Sequence, residues 1–155
     1  MKPSVCFAWV FLALGVTGCG AGESAANSAS AQSTVQLVIS SPTKSHRFQV
    51  EVARSEAEQQ RGLMFRERLA PDRGMIFPIS PPRFASFWMK NTVIPLDMIF
   101  IREDGSIAKI AADTVPYSLA PVPSDEPVVA VLEIAGGRAA ELGIAVDDKV
   151  RWPAP

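Results

Sequence analysis

From about residue 35 onward, apolar residues fall in short runs, many of them alternating with polar ones. Val35–Ile39 is mostly apolar, and Phe48, Val50 and Val52 alternate with Gln49 and Glu51. Alternation of period two is the pattern of a strand with one wet face. Ser40–Ser45, around Pro42, reads as the turn between these two strands. Ser55-Glu56-Ala57-Glu58 is a capping box: the Ser55 hydroxyl accepts a backbone N–H while Glu58 reaches back. It predicts a helix from Ser55 to about Phe65, with acidic residues in the first turn, where the helix dipole favours them. Gly62 costs this helix about 1 kcal/mol relative to Ala, which predicts a stop or a close backbone approach there.

Further along, Gly74–Ile79 reads as a short buried strand ended by Pro78 and Pro81-Pro82. Phe84–Met89 and Leu96–Ile101 read as strands too. Asp104-Gly105 is a hairpin signal, because both residues accept positive φ; it joins Met98–Arg102 to Ile107–Ile110. Pro116–Pro127 carries four prolines and no periodicity, so it reads as a long loop. Val128–Ile134 is another apolar strand, and Gly136-Gly137 opens a short helix, Arg138–Leu142, with Gly143 as its stop. Val146–Trp152 is a last strand, entered through Asp147-Asp148. Eight or nine short strands with two short helices predict a mainly β protein. An antiparallel β-sandwich or barrel fits that pattern better than a doubly wound parallel sheet, which needs long helices between strands.

Several blocks resemble a known family. They are Arg61-Gly62-Leu63-Met64-Phe65-Arg66, Gly74-Met75-Ile76-Phe77, Phe87-Trp88-Met89-Lys90-Asn91-Thr92-Val93-Ile94-Pro95-Leu96-Asp97, Val131-Leu132-Glu133-Ile134, and Gly143-Ile144 to Val150. Their order and spacing are similar to domain-of-unknown-function family 192. The resemblance implies a small β-rich domain of bacteria or archaea, often exported, with no established activity. Asp147-Asp148 departs from the family's frequent Gly-Asp at that turn.

The N-terminus changes the expected location. Lys2, the apolar run Val5–Val16 and the small residues before Cys19 have the layout of a secretory signal peptide. The run is shorter than the roughly 20 residues of a membrane-spanning helix. Val16-Thr17-Gly18-Cys19 also resembles the lipobox of bacterial lipoproteins. That resemblance implies cleavage before Cys19, a diacylglycerol on its sulfur and an acylated new N-terminus. Two or more acyl chains anchor stably where one does not. Gly20–Thr34 is Gly, Ala, Ser, Asn and Gln with a single charge, Glu23, a composition that behaves as a flexible coil. The expected organisation is a signal peptide at 1–18, a tether at 19–34 and one β-rich domain at 35–155. The expected location is the periplasmic face of the envelope. Gly20 stands where, in the resembled lipoprotein system, an aspartate would favour inner-membrane retention, so the resemblance implies the outer membrane as the default.

Charge and cysteine usage exclude several functions. Without Lys2 the chain carries 14 basic and 16 acidic residues, a net charge of −2, with no basic excess for nucleic acid. Cys6 lies in the signal segment and Cys19 at the lipidation site, so the domain is expected to lack disulfides and thiolate metal sites. His46, the single histidine, reads as a solvated residue at a strand start. Nucleophilic triads and zinc sites therefore lack their parts. There is no phosphate loop, and Gly136-Gly137 alone is a weak anion signal that reads better as a turn. No cofactor is implied.

The polar candidates sit in the middle of the chain. Trp88, Lys90, Asn91 and Thr92 combine an aromatic wall with a charge, an amide and a hydroxyl, the mixture small-ligand pockets use. The competing reading is structural: Lys90 paired with Asp97, Asn91 in a turn, Trp88 in the core. Asp97 and Glu133 are carboxylates inside apolar strands, and burying either without a partner costs several kcal/mol. They either pair with Arg61, Arg66 or Lys90, or face a cleft. In a cleft they could hold Ca²⁺ or Mg²⁺ with Asn91, or act as the two carboxylates of a glycoside hydrolase. Arg61 and Arg66, at the end of the first helix, fit either ion pairs or an anionic ligand. The preferred expectation is a binding or accessory domain for a small molecule, glycan or envelope partner. The alternatives are a polysaccharide hydrolase working through Asp97 and Glu133, and a structural module whose edge strands pair with another protein.

Overall fold

The computed structural model describes residues 34–153; the expected signal peptide, Cys19 and the tether up to residue 33 lie outside the described residues. Strands β1 (Thr34–Ser40) and β2 (Ser45–Val52) form a hairpin across the Pro42 turn. Helix α1 (Glu56–Arg61) then carries the chain to β3 (Arg73–Arg83), which pairs with β2 in parallel. The sequence had suggested antiparallel pairing, and this single parallel pair exists because a helix, not a turn, joins its strands. Strands β5 (Leu96–Ile101), β6 (Ile107–Thr114) and β8 (Val128–Ala135) add antiparallel ladders, and β9 (Lys149–Arg151) closes onto β1. The order in the sheet is β6-β5-β8-β3-β2-β1-β9. Short β4 (Ser86–Phe87) and β7 (Val122–Pro123) make a separate ribbon, and α2 (Arg138–Leu142) precedes β9. The described residues are thus mainly β with two short helices, in the open, sandwich-like form of the expected architecture. The edge strands do not make a continuous ladder. They meet at a bridge between Ser106 and Lys149, where Ile107 N donates to the Asp148 carbonyl at 2.9 Å.

Two hydrophobic clusters lie on opposite faces of the central strands. One holds Leu37, Phe48, Val50, Ile76, Ile99 and Leu132, and Ala139 of α2 packs into it. The other holds Leu63, Met75, Phe77, Met98, Phe100 and Val131. Every residue of β5 is buried. That explains its unbroken apolar run: a strand covered on both faces has no wet face to keep polar. Each large side chain withdrawn from water there contributes about 1.5–3 kcal/mol.

Several elements differ from the sequence expectation. Strand β3 continues through Pro78, Pro81 and Pro82 to Arg83. Its pairing to β2 ends at Ile76, and its register with β8 shifts between Pro78 and Arg83. The prolines therefore sit where one edge of the strand is free, the place a missing N–H is tolerated. Within Phe84–Met89 only Ser86 and Phe87 are extended and paired, and within Val146–Trp152 only Lys149–Arg151. Helix α1 has the expected capping box but stops at Arg61, because Gly62 takes φ 48°.

Candidate functional site

A cleft of about 750 Å³ opens between the end of α1, the tail of β3 and the Ser86–Thr92 segment. Its floor is set by strand register. Glu133 of β8 lies opposite Met75 of β3 and Met98 of β5, so its side chain shares the face of the second hydrophobic cluster. Glu133 is only 5% exposed. Its carboxyl makes no hydrogen bond or ion pair among the described residues, and burial alone pushes its pKa up to about 8. At neutral pH this carboxyl is therefore mostly protonated, able both to donate and to accept a hydrogen bond.

One wall comes from the turn after α1. Gly62 has positive φ, and a Cβ there would lie 3.3 Å from the Phe77 ring. Glycine thus lets the turn lie against the aromatic wall. Leu63 enters the core and Met64 lines the cleft. The opposite wall is the Trp88 segment. Phe87 packs edge-on against Phe77, with ring centroids 5.2 Å apart, while Trp88 is about half exposed at 49%. Lys90 holds its ammonium 5.1 Å from the Trp88 ring centre, a cation–π contact worth about 0.5–1 kcal/mol at an exposed site.

Asn91 and Thr92 line the cleft and also brace it. Asn91 takes φ 55°, accepts from the Phe65 N–H through its carbonyl at 2.9 Å, and points its amide at the Met64 sulfur, 3.9 Å away. Thr92 is buried; its hydroxyl donates to the Lys90 carbonyl at 3.3 Å and its own carbonyl accepts from Tyr117 N–H at 3.0 Å. At the mouth stand Arg61, Arg83 and Lys90, all exposed. Among the described residues none of their side chains makes a hydrogen bond or ion pair, and the Lys90 ammonium has only its contact with the Trp88 ring.

The structure therefore brings together six of the expected residues: Trp88, Lys90, Asn91, Thr92, Glu133 and Arg61. It removes two. Asp97 does not face the cleft. It pairs across from Ile134, one register step from Glu133, and so projects from the other face of the sheet. There it is fully buried and accepts three backbone N–H groups, from Asp113 (2.8 Å), Gly137 (2.9 Å) and Ala139 (2.7 Å). The last two open α2, whose N-cap, Gly137, has no side chain to cap with. Asp97 is the hydrogen-bond acceptor at that helix start, delivered from a strand. The pairing of Lys90 with Asp97 does not form, and the two-carboxylate hydrolase loses its geometry. The Asn91 cage for Ca²⁺ or Mg²⁺ is lost with it, and the described residues hold no group of three acidic, histidine or cysteine side chains able to take a metal. Arg66 also leaves the site: both terminal nitrogens bond the Glu51 carboxylate at 2.6 Å, a bidentate pair. His46 lies within β2, opposite Ile39.

Sequence reasoning missed Arg83, Ile79 and Phe77. Arg83 reaches the cleft because β3 runs past Pro81 and Pro82, which mark a strand end in the sequence, while Ile79 lies within the expected strand. Phe77 was assigned to a buried strand, with no sign of which face it would take.

A family model, DUF192, described as an uncharacterized ACR, matches residues 37–152. Among solved structures, a protein of unknown function from Novosphingobium aromaticivorans is 49% identical, with a TM-score of 0.77 over 80% of this chain and 89% of that one. A protein from Sinorhizobium meliloti, named as a candidate transcription regulator, is 37% identical, with a TM-score of 0.76 over 78% and 95%. No curated protein matches the chain.

Proposed function

Because this chain belongs to DUF192, an uncharacterized family, we propose its function from the cleft itself: it binds a small ligand between the α1 turn and the Trp88 segment, as a lipid-anchored domain of the bacterial envelope. The observation that carries the binding role is Glu133. A carboxyl on a cleft floor without a protein partner leaves hydrogen-bonding capacity unspent, at a cost of about 1–3 kcal/mol if nothing answers it. A ligand seated on the floor supplies that partner. The aromatic wall of Phe87 and Trp88 and the cations at the mouth add flat apolar area and placed polar groups, the two parts from which ligand pockets are built. The cleft volume lies within the roughly 300–1,000 Å³ range of such sites.

The envelope location rests on the lipobox-like Val16–Cys19 and the small-residue segment after it. Two experiments test these parts separately. Ligand-observed NMR against a library of neutral, anionic and cationic small molecules should return binders whose signals are lost in Trp88→Ala. A library without any binder would end the ligand reading. Cys19→Ser should move the protein from the membrane to the soluble fraction on fractionation; unchanged fractionation would end the anchor reading.

A further inference from the structure

Resting on that small-ligand reading, we propose that the cleft selects an anionic, hydroxyl-bearing molecule, a sugar acid or sugar phosphate. Its anion would sit among Arg61, Arg83 and Lys90, and a hydroxyl would reach Glu133. The charge of the lining is the first argument. Five ionisable groups line the cleft: Glu56, Glu133, Arg61, Arg83 and Lys90. Glu133 keeps its proton at neutral pH, and Glu56 accepts a hydrogen bond from Gln60 at 3.0 Å. The acids nearest α1 are engaged elsewhere: Glu51 with Arg66, and Glu58 with the backbone N–H groups of Arg54 and Ser55. Three cations thus face one exposed carboxylate in a chain whose net charge is −1. A cleft of sign opposite to the whole molecule gathers counter-charged ligands. Two of its cations are guanidinium forks, whose geometry matches the oxygens of a carboxylate or phosphate.

The floor narrows the class further. A protonated carboxyl is donor and acceptor at once, and so is a hydroxyl; the two satisfy each other. A purely apolar ligand would cover Glu133 without answering it, and a ligand with only donors or only acceptors would answer it by half. The wall suits the remaining surface of a sugar ring. Trp88 and Phe87 present flat apolar area, and the Lys90 ammonium, held beside the Trp88 ring, sets the anion next to that wall.

The test is isothermal titration of the full chain in detergent with glucuronate, glucose 6-phosphate and glucose at pH 6.5. Both anions should bind at least tenfold more tightly than glucose, and their affinity should fall with added salt. The stronger of the two identifies carboxylate or phosphate as the preferred group. Arg83→Ala and Lys90→Ala, both at exposed positions, should each weaken the anions at least fivefold more than they weaken glucose. Glucose binding as tightly as the anions would overturn the proposal. So would anion affinities that neither substitution changes, while the protein still captures neutral or cationic members of the library; the small-ligand reading would then survive without this one. If nothing of any class binds, that reading falls as well.

Discussion

Replacing Glu133 by Gln should make the protein more stable at alkaline pH and should flatten its stability against pH. Glutamine keeps the shape, one donor group and one acceptor, and removes the ability to ionise. In the unfolded wild-type chain this carboxyl ionises near its ordinary value of 4.5, whereas in the folded cleft it holds its proton until about 8. Between those values the unfolded state releases a proton that the folded state keeps, so rising pH favours unfolding. The stability is fully present below 4.5, is lost progressively through the window, and stops falling above 8. The interval is about three and a half pH units, and each is worth about 1.4 kcal/mol. The wild type should therefore lose about 3 kcal/mol at pH 7 and about 5 kcal/mol above pH 8 through this one residue.

The side chains opposite Glu133 in the sheet, Met75 and Met98, carry no charge, and the charged groups in the cleft are Glu56, Arg61, Arg83 and Lys90. The three cations stand at the open mouth, where water screens them, and leave desolvation as the cause of the shift. Urea unfolding of wild type and Glu133→Gln from pH 5 to pH 9, followed by tryptophan fluorescence, measures the difference directly. Asp104, held well below the usual carboxylate range first by its hydrogen bond to Lys149, titrates in both proteins and cancels. A difference between the two proteins that stays constant across that range would refute the reasoning, because it would mean that Glu133 ionises as a solvated or ion-paired carboxyl.

Three further outcomes follow from the same geometry. Asp97→Ala should cost about 3–5 kcal/mol in denaturant unfolding, since it strands three backbone N–H groups at a buried site; amide exchange at Gly137 and Ala139 should accelerate first, while ligand capture by the folded fraction should persist. Gly74→Ala should lower the thermal midpoint by an amount equivalent to about 1–3 kcal/mol, because the new Cβ would lie 2.5 Å from the Glu133 carbonyl oxygen, inside a β3–β8 ladder that has no room to part. Ser55→Ala should cost about 1 kcal/mol by thermal unfolding, through loss of the hydroxyl that accepts from Glu58 N–H at 3.2 Å; an unchanged midpoint would mean that α1 is held by Leu63 and the Gln59 amide, not by its cap.

Local chemistry was legible in the sequence wherever it decides structure over a few residues. The Ser55–Glu58 capping box, the Asp104-Gly105 turn and the Gly143 stop of α2 all lie where residue type indicates, because their hydrogen bonds close within one turn of chain. The run of β5 was equally plain, since burial on both faces demands apolar residues throughout. Strand β3 was misjudged for a non-local reason: whether proline ends a strand depends on whether its missing N–H faces a partner, and the partner here stops at Ile76. That error hid Arg83, the cation carried furthest along the strand into the cleft.

The two buried acids show where legibility ends. Asp97 and Glu133 look alike in sequence, each a carboxylate inside an apolar strand, and side-chain type cannot separate them. Parity does. Because β5 and β8 pair with Met98 opposite Glu133 and Ile134 opposite Asp97, the acids leave opposite faces of one sheet, and a slip of one residue would exchange their fates. The face that received Asp97 also receives α2, a helix opened by Gly136-Gly137 with no serine, threonine, aspartate or asparagine at its start. Such a helix needs N–H acceptors from elsewhere, and that deficit was a usable sign that a distant carboxylate would be drawn to it. On the face that received Glu133, no donor among the described residues bonds its carboxyl; Met75 and Met98 flank it on the neighbouring strands, and the cleft opens beyond. One carboxyl is thus satisfied by the fold and the other faces the open cleft with no partner among the described residues, which is why the proposed binding role starts from Glu133.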